Sequence, residues 1–405
     1  MTIASSNFTT LAYQEETAYG VLPVAGAFRL TPFTGESFQF TKESISSNNI
    51  NSSRQISDVI ATGFNVSGGF DIELAAKTFD ELSEGALWER WSTSVDEVIT
   101  ATVVGTSRTV TASAGTPFAQ VTTGQFVKIS GMVETANNGI FQVLSVTDTV
   151  LTMTTAYTMA DESDTASVSI KGSMLRNGTT RLSYYVEKSF TDLNPVQRFS
   201  YSGCLINAMS IAVQSSSIIT GSFDFMGKTS TAYTGVSDSP ETVLASVGNN
   251  ILNAVSHMEG VRIDGVEQTA AGVYFQGIDY TLSNNLRGIQ AIGTEGNVGV
   301  APGQLEVSGS MNTYFTNSDM YSKFVDGTEF SLSYELIDEN GEGYVISFPR
   351  ATISNDAMSA SGGDQDLVEN LSWSAMMSAT DNIAPSTSIQ IDRFLTDYTT
   401  APDQV

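Results

Sequence analysis

Val66-Ser67-Gly68 returns as Val307-Ser308-Gly309, and Leu182-Ser183-Tyr184 returns as Leu332-Ser333-Tyr334. The two matches keep their order along the chain, at offsets of 241 and 150 residues. Further strings fall into line between them. Phe38-Gln39-Phe40-Thr41 matches Ile278-Asp279-Tyr280-Thr281, Ala208-Met209-Ser210 matches Ala357-Met358-Ser359, and Phe223 matches Trp373. Each string is short, but their collinearity makes the chain two copies of one unit. The offsets differ by 91 residues, so the first copy holds about that many extra residues between Trp91 and Thr180. This reads as a small inserted domain over 92–178. Its runs Phe126-Val127-Lys128-Ile129 and Phe141-Gln142-Val143-Leu144 flank the turn signal Asn137-Asn138-Gly139, which predicts β structure there too.

Within each copy the hydrophobic period is two. Phe70-Asp71-Ile72-Glu73-Leu74 alternates, as do Leu182, Tyr184 and Val186, and Leu332, Tyr334 and Leu336 repeat the pattern. That period predicts strands with one buried face. Hairpins are expected at Asn194-Pro195 and Asn340-Gly341. One helix is expected in each copy. Thr78-Phe79-Asp80-Glu81 has the form of a capping box ahead of Leu82, Ala86 and Leu87, and Ser318 to Val325 carries Tyr321, Phe324 and Val325. The fold class is therefore mainly β: two tandem sandwich or barrel units, each with one packed helix, plus an inserted β domain. Residues 1–30 read as an N-terminal arm, 31–91 with 179–232 as the first unit and 233–270 as a connector. Residues 271–380 read as the second unit and 381–405 as a C-terminal arm. Ser46 to Thr62 and Leu286 to Gly303 read as long loops, of a length that usually serves binding.

Composition narrows the chemistry. Forty-four acidic and 18 basic residues in 405 give a formal charge of −26, which opposes adhesion to nucleic-acid phosphates and to anionic membranes. No run of apolar residues is long enough for a membrane-spanning helix, and Met1 to Thr10 has no signal-peptide pattern. One cysteine, Cys204, and one histidine, His257, leave no intrachain disulfide and no Cys/His zinc site. Gly221 to Thr229 imitates a phosphate loop, but Phe223 and Phe225 alternate as strand core. Asp338, Asn340 and Glu342 imitate half an EF-hand, with Pro349 where the bidentate Glu belongs. Trp88, Trp91 and Trp373 fall at core positions rather than on loops. No catalytic residue, metal ligand or cofactor is expected.

Tyr13-Gln14-Glu15-Glu16-Thr17-Ala18-Tyr19-Gly20-Val21-Leu22-Pro23 resembles the N-terminal signature of tail tube proteins of long, flexible-tailed bacteriophages. So does Ser283-Asn284-Asn285-Leu286, followed after a loop by the strand Gly303-x-x-x-Val307-Ser308-Gly309. The order strand, long loop, strand, helix, hairpin, strand is also similar to that family. The resemblance implies a structural virion protein whose units form stacked rings around a bore that passes viral DNA to the host. A tandem duplicate implies rings of three chains with pseudo-six-fold symmetry. The implied partners are other copies of the chain, the tail tip and capsid-proximal tail proteins, and DNA that passes without specific binding. No membrane is implied, and the protein would be assembled in the bacterial cytoplasm and reside in the virion tail. Carried over, the inter-ring contacts would include Tyr13, Tyr19, Pro23, Asn49, Arg54, Gln55, Ile56, Asn285, Leu286 and Arg287. Asp71, Glu73, Asp224 and Glu335 are candidates for the bore wall, where like charge would keep phosphates from adhering. The inserted domain is expected to project outward and to be dispensable for assembly. The competing reading is a β-rich adhesin or fibre-type tail protein whose inserted domain binds a glycan.

Overall fold

The computed structural model describes residues 3–247, 250–294, 296–358, 363, 365–378 and 386–398. Three strands, β1 (Thr9–Glu15), β2 (Arg29–Thr31) and β3 (Gly35–Glu36), lead into the hairpin β4 (Gln39–Ser46) and β5 (Val59–Glu73), then α1 (Asp80–Leu87). Six strands follow: β6 (Val95–Val104), β7 (Thr109–Ala112), β8 (Phe126–Ser130), β9 (Gly139–Val146), β10 (Val150–Met153) and β11 (Glu162–Arg176). The chain continues through β12 (Tyr184–Phe190), β13 (Gln197–Gln214), β14 (Thr220–Gly227), β15 (Thr229–Thr234), β16 (Met258–Ile263) and β17 (Val266–Glu267). Next come β18 (Phe275–Ser283), the ribbon β19 (Arg287–Gln290) and β20 (Asn297–Ala301), β21 (Glu306–Tyr314) and α2 (Asp319–Asp326). The last strands are β22 (Phe330–Ile337), β23 (Gly343–Met358), β24 (Val368–Ala375) and β25 (Gln390–Phe394).

Strand pairing repeats as the sequence does. The antiparallel order β4–β5–β14–β13 in the first half recurs as β18–β21–β24–β23 in the second. Because β13 also pairs with β18, the two sets form one eight-stranded sheet, β4–β5–β14–β13–β18–β21–β24–β23. Both long strands carry a bulge at the same place, after Ile206 in β13 and after Ile353 in β23. A bulge bends a strand, and beyond it each strand changes partners. The first part of β13 joins β2–β1–β12–β13–β15, and the first part of β23 joins β17–β16–β22–β23–β25–β11. One apolar core runs through both halves, with Val66, Phe70, Met209, Ile211, Phe223, Tyr280, Leu282, Met311, Phe348 and Trp373 among its members.

The pairing corrects the alignment of the copies in detail. Gly68 lies opposite Phe225 and Gly309 opposite Trp373, so Trp373 corresponds to Phe225 rather than to Phe223. Counting from the two bulges, Met209 corresponds to Asp356 rather than to Met358. Gln39 lies opposite Ser67 and Thr281 opposite Ser308, so Gln39 corresponds to Thr281 rather than to Asp279. Tyr184 and Val186 pair with Cys204 and Tyr201 as Phe330 and Leu332 pair with Ala351 and Phe348, so Tyr184 corresponds to Phe330 rather than to Tyr334. The slips are of two or four residues, errors that leave every side chain on its expected face.

The inserted segment closes on itself. Its strands pair in the cycle β6–β7–β10–β9–β8–β11–β6, a six-stranded barrel filled by Val103, Val110, Phe118, Val127, Phe141, Leu151 and Ile170. It does not stand free. Phe126 and Ile140 pack with Ile337, Val345 and Phe394, and Lys128 Nζ donates to the Gly341 carbonyl at 2.8 Å. Ser173–Arg176, the end of β11, pairs with β25.

Several local expectations change. The expected N-terminal arm contains β1, which pairs with β12 and β2. The expected C-terminal arm contains β25, buried along its whole length between β11 and β23; its outermost residues lie outside those described. The expected long loops are largely hairpin, with only 47–58 irregular between β4 and β5, and with β19–β20 in the second copy. No side chain caps α1, whose N-cap is Phe79. Asp80 turns inward instead, accepting from Tyr344 Oη at 2.6 Å and from Arg393 Nη1 at 2.7 Å. On α2, Met320 is the buried residue, while Tyr321 and Val325 face outward.

Candidate assembly surfaces

Alternation gives the eight-stranded sheet two unlike faces. One carries the core. The other presents Ser67, Ser210, Ser222, Thr281, Ser308, Ser310, Ser372 and Ser374, with Asp71, Glu73, Asp224, Asp279 and Glu306 among them. No Lys or Arg occupies a described strand position on this face. Its short side chains make a smooth surface. Ser210 and Ser222 hydroxyls lie 2.8 Å apart, and Asp279 accepts from Ser310 Oγ at 2.6 Å and Ser310 N at 3.1 Å. Burial, and then the charge of Asp71, push the pKa of Asp224 up.

Of the four acids singled out in the sequence, Asp71, Glu73 and Asp224 share this face. Glu335 does not: it is a buried residue of β22, paired with Arg262 Nε at 3.3 Å. Its alternation matches that of Asp71, but its strand belongs to the other layer. Asp279 and Glu306 were missed, because only the β13–β18 junction brings the second copy's strands beside the first.

The sheet ends at two open edges. Among the described residues β4 pairs with β5 alone, and every residue of β4 is exposed. At the other end, beyond the bulge, β23 pairs only with β24 among the described residues. The internal junction shows what such edges accept. There Ala208–Gln214 of β13 pairs with Gly277–Ser283 of β18 in unbroken register, next to the pairing of β13 with β14. Copy for copy, the open edge of β23 corresponds to β13 and the open edge of β4 to β18.

The helices differ in the same sense. On α1, Leu82 and Ala86 are 0% exposed, and six of its eight residues are buried. The corresponding residues of α2, Tyr321 and Val325, are 48% and 61% exposed. Asn284, directly after β18, covers the end of α1 by donating to the Ala86 and Ile206 carbonyls at 3.0 Å each. The neighbouring copy therefore supplies part of the cover for α1, and α2 lacks a neighbour in the chain.

The tip of the β4–β5 hairpin holds Asn49, Arg54, Gln55 and Ile56, all exposed, together with exposed Ile45, Ile50, Val59 and Ile60. The ribbon β19–β20 exposes Arg287, Ile289 and Val298, with Asn285 exposed before it. Exposed apolar side chains gathered on a hairpin tip are of the kind that contact sites use. Leu286 is instead buried against Trp88, Leu205 and Val300. Tyr13 and Pro23 are also buried, Tyr13 edge-on to Tyr184 at 5.9 Å. These three are packed within the chain. Tyr19 is half-buried beneath Lys228, whose Nζ lies 5.6 Å from its ring. The N-terminal signature is held by Glu16, which accepts from Gly20 N, Gly203 N and Ser183 Oγ, each at 2.7 Å.

The imitations of catalytic motifs have structural uses. Gly221 to Gly227 lies in β14. Asp338 Oδ1 accepts from the Asn340 and Glu342 amides at 2.9 and 2.8 Å, closing the β22–β23 hairpin. Cys204 is buried, which pushes its thiol pKa well up, and His257 Nδ1 accepts from Asn253 N at 3.2 Å. Among the described residues no group of three or more His, Cys, Asp or Glu side chains is placed to hold a metal, and no helix is long and apolar enough to cross a membrane.

Comparison with curated protein sequences gives no match. Two copies of one β unit fused through a shared sheet, with edges open at both ends, agree with the family whose model, described as phage tail tube protein, matches residues 6–375: the chain belongs to the phage tail tube protein family.

Proposed function

We propose that chains close into a ring by making between molecules the junction that β13 and β18 make within one. The family gives the coarse role, a structural component of the virion tail tube. The observation that carries the finer reading is the pair of open, corresponding edges at the two ends of one sheet. An open edge is a template for another strand, and a head-to-tail contact that closes produces a ring. Three chains then supply six units. The small acidic face lines the bore, and at physiological salt, with a screening length of about 8 Å, its carboxylates repel a DNA duplex only near the wall. The hairpin tips, with Asn49, Arg54, Gln55, Ile56, Asn285 and Arg287, make the contacts between stacked rings. No catalytic step enters this role.

The internal register specifies the test. Ser210 pairs with Thr281, so Ala357 of one chain faces Gln39 of the next. A chain carrying Ala357→Cys and Gln39→Cys, assembled and then oxidised, gives a covalent ladder that stops at three chains, with hollow cylinders in electron micrographs. Monomers under all assembly conditions, or a ladder without an end, would overturn the closed ring.

A further inference from the structure

The two half-junctions left open by the isolated chain differ from the closed one in charge. At the closed junction Met209 is buried beside Leu282 and Phe223, and Gly221 lies next along β14. The corresponding positions on the open edge are Asp356 for Met209 and Glu369 for Gly221. Both acids lie on the core face of the sheet. Glu369 is 3% exposed, and its Oε1 has no hydrogen-bond donor; neither carboxylate oxygen of Asp356 has one, although both are buried. Thr313 Oγ1, 3.5 Å from Glu369 Oε2, gives only a long contact. Burial first, and then the adjacent Asp356 charge, push Glu369 up to about 7. Two buried carboxylates this close hold a proton between them, and a cation brought to them takes the place of that proton.

The other open edge carries such a cation. Lys42 on β4 corresponds to Asn284, the first residue after β18. Its side chain is exposed and forms no ion pair among the described residues. In the closed junction Asn284 lies one diagonal step from Met209 and reaches over the bulge to the end of α1. A lysine at that position reaches the diagonal neighbour on the same face.

We propose that Lys42 of each chain reaches Asp356, its diagonal neighbour in the Asp356–Glu369 pair of the next chain, and that this ion contact latches the ring. The latch rests on the ring reading above and adds to it the partner's chemistry: a second copy of this chain, engaged through a buried charge. It also gives direction. Lysine and acids sit on opposite ends of the molecule, so the contact forms only head to tail.

Lys42→Met tests the proposal without disturbing the monomer, since Lys42 is exposed there. The critical concentration for assembly, read by sedimentation, is expected to rise at least tenfold. The double variant Lys42→Asn with Asp356→Met copies the closed junction and is expected to recover most of that loss, whereas Asp356→Met alone is not. Wild-type assembly by the single Lys42→Met variant, or no recovery in the double variant, would overturn the latch. The Ala357–Gln39 cross-link separates the two readings. If it forms in both backgrounds with unchanged assembly, the ring stands and the latch falls; if it fails with Lys42 in place, the ring reading falls and takes the latch with it.

Discussion

Asp392 on β25 is enclosed by protein, with Oδ1 3.1 Å from the Phe126 amide and Oδ2 2.6 Å from Gln390 Nε2. Burial pushes it up to about 7, against the opposing pull of these two donors and of Arg176. An acid raised in the folded state favours folding when protonated. Its contribution is complete below the unfolded value, about 4, and is lost as pH rises through about 7. Asp392→Asn has no such titration and keeps one carbonyl acceptor. Between pH 5 and pH 8 the unassembled wild-type chain is therefore expected to lose about 2–3 kcal/mol more stability than the variant. Urea unfolding of both proteins at the two pH values checks this; parallel profiles would show that Asp392 is ionised throughout. Nothing in the sequence marks this residue. Gln390-Ile391-Asp392-Arg393 reads as part of a polar tail, and its burial follows from β11 and β23 meeting on either side of it. The same holds for Arg393, whose guanidinium lies 4.3 Å from the Trp91 ring and pairs with Asp80 across 313 positions of sequence.

The Val-Ser-Gly strands show which part of an element is legible and which is not. The repeat was readable because both glycines answer the same local need. A Cβ on Gly68 would sit 2.2 Å from the Ser37 carbonyl oxygen, and one on Gly309 would sit 2.1 Å from that of Asp279. Gly68 also holds φ at +117°, where other residues are strained. Either glycine to alanine is expected to cost about 2–4 kcal/mol, because backbone must move apart in a paired strand. Gly299→Ala, with only a side-chain atom at 3.8 Å, is the control and should stay within about 0.5 kcal/mol in urea unfolding. Equal costs at all three sites would refute the close-approach argument. Strand type and buried face were thus legible from alternation, while register was not. A two-residue slip preserves the pattern, and the bulges at Asn207 and Ser354 leave no compositional trace. Helix ends failed for a related reason. Thr78 and Glu81 have the spacing of a capping box, but Tyr184 Oη, donating to the Glu81 carbonyl, and the Asp80 contacts place the turn from outside it.

At the scale of the whole molecule, the sequence showed that something was inserted but not what it leans on. The barrel's apolar contact with the second unit joins Phe126 and Ile140 to Ile337, Val345 and Phe394, none of which stands out in a linear reading. A cut at 92 and 178 therefore removes more than an appendage. It deletes Ser173–Arg176, the strand partner of β25, and takes Phe126 N away from Asp392. It also exposes an apolar patch, each large side chain of which loses roughly 1.5–3 kcal/mol of burial. The expectation that 92–178 is dispensable is replaced by a sharper one. Deleting 92–178 yields insoluble or unfolded chain. Excising 98–169 across a short Gly-Ser bridge keeps Val95 paired with Gly172 and β11 paired with β25, and yields a chain that folds with a lower midpoint in urea. Circular dichroism and sedimentation separate these outcomes, and a stable, assembling 92–178 deletion would show the docking to be incidental. The truncated but folded chain then isolates the part of the molecule that matters for closure. Neither open edge, neither hairpin tip nor the acidic face includes any residue of the barrel, so rings formed by that chain should have the same bore and a narrower outer wall.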